Sequence, residues 1–261
     1  MPAPAEEAAL TALLSAADVE AIERATLAAL PPLRLVADDG WLLAENAGAV
    51  SRVNSVLPLS AGADPLGKKI ERACAFYAAA GLPPAFRVSP WSAPQALASA
   101  LEAMGFAPNM RTSVMVASAE AVAERLTNAT PAEQVAAPDE GWAALFLGPG
   151  VDPAEGSARL ATLARGQGAV FARRREGEAT VAVGAAGVRD GWAGLHGMRT
   201  ASDHRRRGHA SAVVAALVAG ARRAGAERLF LQVEAVNAGA IALYERLGFV
   251  EAYDYSYWRP A

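Results

Sequence analysis

A single cysteine, Cys74, stands in the 261 residues. One thiol closes no internal disulfide and makes no metal site by itself, so neither a disulfide scaffold nor a zinc centre is expected. A reduced cytoplasmic protein is the default reading. Long blocks of one charge sign are also absent: 24 Lys and Arg stand against 27 Asp and Glu, a net charge of -3. That balance gives no general reason to expect nucleic acid or an anionic membrane as partner, although a local basic cluster can still take a small anion. The opening, Met1 to Leu10, has Glu6 and Glu7 and no basic region ahead of an apolar stretch, so it is not read as a signal peptide. The longest weakly polar run, Ala210 to Ala221, is too short to span a bilayer and is flanked by arginines.

What is present is enough for a sizeable core, since 53% of the residues are hydrophobic and only 20% charged. Leucines and alanines at three- and four-residue spacing predict a helix over about 6–30, ended by Pro31-Pro32. Strands are expected at 33–37 and 41–44 around the turn Asp38-Asp39-Gly40, and a third over 51–59. A helix at 67–80, a strand at 86–88, a helix at 94–104 and a strand at 109–116 follow. Residues 118–140 are read as a connection between a domain of 1–117 and one of 141–261. The second domain begins with a helical region to about 166, broken around 148–150, and continues with strands at 169–174, 179–188 and 192–200. A helix at 209–224, a strand at 227–234, a helix at 238–247 and a strand at 250–258 complete it. Strands before helices, then alternation, predict a mixed α/β sheet.

The halves repeat. Slid by 144 residues, Ala80-Gly81 falls on Ala224-Gly225 and Phe86 on Phe230, although Val88 falls on the polar Gln232. At a shift of 143, the stretch Leu101 to Phe106 falls on Tyr244 to Phe249, ending both times in Gly-Phe. Helix, strand, helix, Gly-Phe, strand in the same order is explained by duplication of one fold.

The most informative stretch is His204-Arg205-Arg206-Arg207-Gly208-His209-Ala210, between a strand and a helix. Gly208 lets the backbone approach a ligand. The first N–H groups of a helix have no internal partner, and its dipole favours an anion there. Three arginines add fork-shaped donors for phosphate oxygens. A solvated arginine turn is the alternative, yet cations at a helix N-terminus are wrong-signed for stability, a conflict that a bound anion resolves.

The spacing Arg205-x-x-Gly208-x-Ala210, followed by Asn237, Tyr244 and Gly248-Phe249 with the right elements between, resembles the GNAT superfamily of acyl-CoA N-acyltransferases over about residues 140–261. The resemblance implies a duplicated GNAT fold and acetyl-CoA as acyl donor to an amine acceptor. It implies that the loop, Arg205 to Ala210 with His209, holds the pyrophosphate. Met198 and Thr200 would offer backbone groups to the pantetheine arm where the fourth and fifth strands splay, and Asn237 would cap a helix, touch that arm, or both. Tyr244 would protonate the leaving thiolate, or be a core tyrosine in step with Ala240 and Leu247; the unperturbed values of tyrosine (~10) and a thiol (~8.5) permit the transfer. His196 or Glu234 would take the amine proton, His196 being otherwise an ordinary strand histidine. One departure is that a single strand follows Phe249 where many GNAT domains have two; the N-terminal half could supply the missing one.

In that half the counterpart of the arginine loop is Ala61 to Leu66, without arginine and with Asp64, and the counterpart of Tyr244 is Leu101. A degenerate copy is implied. Gly62 to Lys69 mimics a P-loop, but Lys69 stands where Ser or Thr must hold Mg²⁺. Arg52 and Asn54 are ordinary strand residues, or else line an acceptor pocket between the halves. A non-catalytic acyl-CoA-binding regulatory protein is the other function class.

Overall fold

The computed structural model describes residues 14–90, 96–149, 151–166 and 168–261. The expected first helix is described from Ala16 as α1 (Ala16–Ala29); its start near residue 6 lies outside the described residues. Ser15 and Asp18 form a reciprocal cap, each side chain accepting the other's backbone N–H. Then come β1 (Arg34–Asp38), β2 (Trp41–Glu45), a 3-10 turn (Ser51–Val53), β3 (Val56–Pro58), α2 (Leu66–Ala79) and β4 (Phe86–Val88). They are followed by α3 (Leu97–Ala103), β5 (Phe106–Ser118), α4 (Ala119–Arg125), β6 (Glu133–Val135), α5 (Glu140–Leu147) and α6 (Pro153–Ala164). The chain ends with β7 (Val170–Glu176), β8 (Ala179–Arg189), β9 (Trp192–Thr200), a second 3-10 turn (Ser202–His204), α7 (His209–Arg223), β10 (Arg228–Glu234), α8 (Ala238–Arg246) and β11 (Val250–Pro260).

One expectation is corrected here. The strand foreseen over 51–59 is a 3-10 turn followed by the three residues of β3, so Arg52 and Asn54 sit on a turn, not on a strand. Its start at Val50 has φ +60, which no strand residue can adopt. The stretch 118–140 is structured: Ser118 caps α4 and β6 pairs with β7.

All strands join one sheet in the order β1-β2-β3-β4-β11-β5-β10-β9-β8-β7-β6. Only β3–β4 and β9–β10 are parallel. The last strand of each half has crossed over: β5 lies between β10 and β11, and β11 between β4 and β5. The strand missing after Phe249 is thus filled by the N-terminal half, and the reverse holds as well. Both Gly-Phe pairs leave their helix in the left-handed region, Gly105 at φ +81 and Gly248 at φ +90.

One face is covered by α7, which packs on β7, β8 and β9 through buried Val213, Val214 and Leu217. Each such side chain contributes about 1.5–3 kcal/mol by leaving water. On the other side α1, although N-terminal, packs on β8 and β9 beside α5. None of the described helices is long and apolar enough to cross a membrane.

Candidate active site

The parallel pair β9–β10 supports the site. Its ladder runs from Trp192/Arg228 to Leu195/Leu231 and stops, although β9 continues to Thr200 and β10 to Glu234. Beyond that point the strands part, and the edge of β9 facing β10 has no strand beside it. The register of β8 on β9 slips between Val183/Arg199 and Ala185/His196, so β9 carries an extra residue there. Gly197, at φ +61, absorbs this bulge, which re-aims the backbone around Met198.

A cleft of about 300 Å³ opens in the gap. His196, Met198, Glu234, Asn237 and Tyr244 line it, together with Leu195, Leu231, Gln232 and Arg52. A wider depression of about 690 Å³ between α5 and the β7–β8 hairpin is shallow and gathers no imidazole or phenol; Asp139, Glu140, Arg175, Glu178 and Thr180 are among its walls. The smaller space is the one that gathers an imidazole, a phenol and a carboxylate.

Each lining group has a distinct state. Tyr244 is 6% exposed and packs edge-on to Phe249, and its phenol hydroxyl hydrogen-bonds to no group among the described residues. Burial pushes its phenol up to about 12, so it stays protonated at neutral pH and is available as a donor. His196 is also buried, edge-on to Phe230, and among the described residues both ring nitrogens lack a hydrogen-bond partner. Gly194 makes room for it, since a Cβ there would lie 2.5 Å from its Nε2. Burial, with the nearby Arg52 charge second, lowers the imidazole to about 3. His196 is neutral at pH 7 and a weaker proton acceptor than an ordinary histidine. Glu234 is exposed at the rim, and Asn237 caps α8 by accepting the N–H of Ala240 at 3.2 Å. Thr200 ends β9, paired with Ala182, on the way to the loop.

The loop leads straight into α7. Gly208, at φ +83, precedes the first helical residue and provides no side-chain cap. Among the described residues nothing accepts the N–H groups of His209, Ala210 and Ser211. Arg205, Arg206 and Arg207 are exposed around them, and Arg206 itself takes φ +59. The His209 imidazole is buried instead, its Nε2 2.9 Å from Glu176 at the end of β7, so its backbone N–H is what it presents. Glu176 also lies 3.3 Å from His204 and 3.6 Å from Arg207. It was not singled out from the sequence, because only the fold brings the β7–β8 turn to the loop.

In the N-terminal half the loop ahead of α2 is held by side chains of its own half. Asp39, from the β1–β2 turn, accepts the N–H groups of Ala63 and Asp64 at 2.9 Å. Lys69 is fully buried over Trp41 and donates to the carbonyls of Asp39 and Ala61. Asp39 thus occupies N–H groups of the loop that leads into α2, and Lys69, which stands at the Ser/Thr position of the P-loop look-alike, is spent inside the protein.

Residues 16–258 match the family model described as probable histone acetyltransferase Rv0428c, C-terminal. The chain belongs to this family. It is a GNAT-superfamily protein, an acyl-CoA-dependent N-acyltransferase. It is 29% identical over 245 residues to the uncharacterized N-acetyltransferase YobR of Bacillus subtilis (strain 168), covering 92% of this chain and 98% of that one. A GCN5-related N-acetyltransferase from Kribbella flavida shares the fold with a TM-score of 0.64 at 18% identity, covering 92% of this chain and 94% of its own. A tandem GNAT protein from the clavulanic acid biosynthesis pathway superposes with a TM-score of 0.58 at 14% identity, over 95% and 97% of the two chains.

Proposed function

We propose that the chain moves an acetyl group from acetyl-CoA to a primary amine of a small molecule or peptide, at one working site in the C-terminal half. The observation that carries this reading is the uncapped start of α7, with Arg205, Arg206 and Arg207 exposed ahead of it, on the loop that follows β9, the strand that parts from β10 to wall the cleft. Pyrophosphate rests on the N–H groups from Gly208 to Ala210, and the pantetheine arm runs along the free edge of β9 at Met198 and Thr200 with Asn237 opposite. The family description names a histone, and a lysine side chain falls within the amine class.

In the reaction the amine lone pair attacks the thioester carbonyl carbon. The C–N bond forms, the C–S bond breaks, and the CoA thiolate takes the phenolic proton of Tyr244. The burial that raises the phenol also raises a thiol held in the same cleft, which keeps that transfer within reach. The amine's proton leaves by Glu234 or His196. Glu234 moves ahead of His196 here, because the buried imidazole is held neutral and weakly basic; His196 can still accept a hydrogen bond from the incoming amine.

Calorimetry with acetyl-CoA, and CoA release against a panel of amines in wild type and Tyr244→Phe, test the reading. Saturable binding and turnover that collapses in Tyr244→Phe are expected. Tight binding with no turnover over a broad panel favours a non-catalytic acyl-CoA sensor, and no binding removes the site altogether.

A further inference from the structure

In the N-terminal half the loop ahead of α2 is tied to Asp39, yet this half places one cation in the cleft. Arg52 projects from the 3-10 turn Ser51–Val53 and lines the same 300 Å³ space as His196, Glu234 and Tyr244. The turn is held firmly. Arg259 donates to Ser51 Oγ at 3.0 Å, Asn54 Oδ1 accepts the N–H of Asn46 at 3.0 Å, and Arg87 donates to the carbonyl of Arg52 at 3.4 Å. Its entry is strained, because Val50 is β-branched and sits at φ +60. Strain of this kind persists where surrounding structure over-determines it, and it gathers at ligand sites.

The guanidinium is under-used. It carries five N–H donors. One nitrogen donates to the carbonyl of Gln232 at 3.0 Å, and Nε is buried with no hydrogen-bond partner among the described residues. No carboxylate pairs with Arg52 among the described residues; Glu234, the other charged group on the cleft, is exposed and makes no ion pair with it. A half-buried cation hydrogen-bonded to one neutral carbonyl and paired with no carboxylate among the described residues suits a small planar anion that takes two parallel hydrogen bonds.

We infer that Arg52 is a specificity-determining residue that binds a substrate carboxylate inside the cleft. The carboxylate arrives on the amine acceptor or on the acyl group of the thioester. The inference rests on the acyl-transfer reading above and narrows its substrate class to an amine or acyl group bearing an acid.

Two arms separate the sources. In the first, acetyl-CoA is offered with matched amines differing only in a carboxylate or carboxamide, such as β-alanine with β-alaninamide and lysine with lysinamide. In the second, one neutral amine is offered with acetyl-CoA or succinyl-CoA. The acid-bearing member of one arm is favoured at least about tenfold in kcat/KM by wild type. Arg52→Gln collapses that ratio, and Arg52→Lys recovers part of it, which a merely structural arginine would not do. Wild type with no preference in either arm overturns the inference, as does a preference untouched by Arg52→Gln. Where Arg52→Gln folds poorly, Arg52→Lys carries the comparison, and absence of any wild-type preference overturns the inference without a variant. Should no amine turn over, calorimetry of succinyl-CoA against acetyl-CoA, and of N-acetyl-β-alanine against its amide with CoA present, replaces kcat/KM; equal affinities in both pairs overturn it. Absence of acetyl-CoA binding removes the acyl-transfer reading and this inference together, whereas binding without acid preference removes Arg52 alone.

Discussion

Behind the cleft lies a buried ion pair whose removal has a calculable cost. Glu23 on α1 accepts from the guanidinium of Arg87 on β4 and from the hydroxyl of Tyr253 on β11 at 3.0 Å. Arg87 stacks over Tyr255 with its Cζ 4.4 Å from the ring centre, and both members of the pair are almost wholly buried. Glu23→Gln keeps the shape and the Tyr253 contact but leaves Arg87 as an uncompensated buried charge. Breaking such a pair costs about 3–5 kcal/mol. The amide oxygen of the variant still accepts from Tyr253, so the lower end, about 3 kcal/mol, is expected. In a chain of this size that lowers the melting midpoint by roughly 6–12 °C. Urea unfolding of wild type and variant should show a shifted midpoint with an unchanged slope. Replacing both partners by apolar groups, Glu23→Leu with Arg87→Met, should restore most of the loss, because two desolvation penalties vanish along with the attraction. A loss under about 1 kcal/mol in Glu23→Gln would mean that water reaches Arg87, and the dry core drawn under α1 would be wrong.

Four further outcomes are expected. Tyr244→Phe should lower kcat by about a hundredfold while acetyl-CoA affinity stays within about twofold, since the phenol acts on the leaving group and not in binding. Arg206→Ala and Arg207→Ala should each weaken acetyl-CoA about three- to tenfold by calorimetry, more at low salt, and unchanged affinity in both would remove the loop assignment. His196 titrates at about 3 when folded against ~6.5 unfolded, so below about pH 6.5 the unfolded chain binds a proton that the native chain refuses. Stability should fall as pH drops from about 6.5 toward 3, and His196→Gln should flatten that slope in pH-dependent urea melts. The Asp39 carboxyl is lowered to about 2, chiefly by the N–H groups of Ala63 and Asp64. Its stabilisation therefore stands above about pH 4 and is lost as pH falls through 2; the melting difference between wild type and Asp39→Asn should shrink over that range.

Local chemistry was legible from the residues. The alternation of helix and strand in the C-terminal half, the arginine loop ending at Gly208, the Asn237 cap and the Gly-Phe turns are short-range patterns set by backbone and side-chain preferences within a few residues. The turn at Ser51–Val53 escaped because Val53, Val56 and Leu57 are apolar whether they lie in a strand or pack singly, and periodicity cannot separate the two. Glu176 escaped because a lone carboxylate at a hairpin end carries no motif.

Sequence alone thus determined what each segment wants to be: which stretches coil, which extend, where a helix starts at a glycine behind three arginines, and that the two halves share one plan. Tertiary structure alone decided the exchange of β5 and β11, the packing of α1 on the far half, the loss of basicity at His196 and the arrival of Arg52 in a cleft built by the other half. The physical reason is range. Secondary-structure preference acts over one turn or one pleat, whereas strand partners, desolvation and charge pairing depend on residues more than a hundred positions apart, whose meeting no local pattern records.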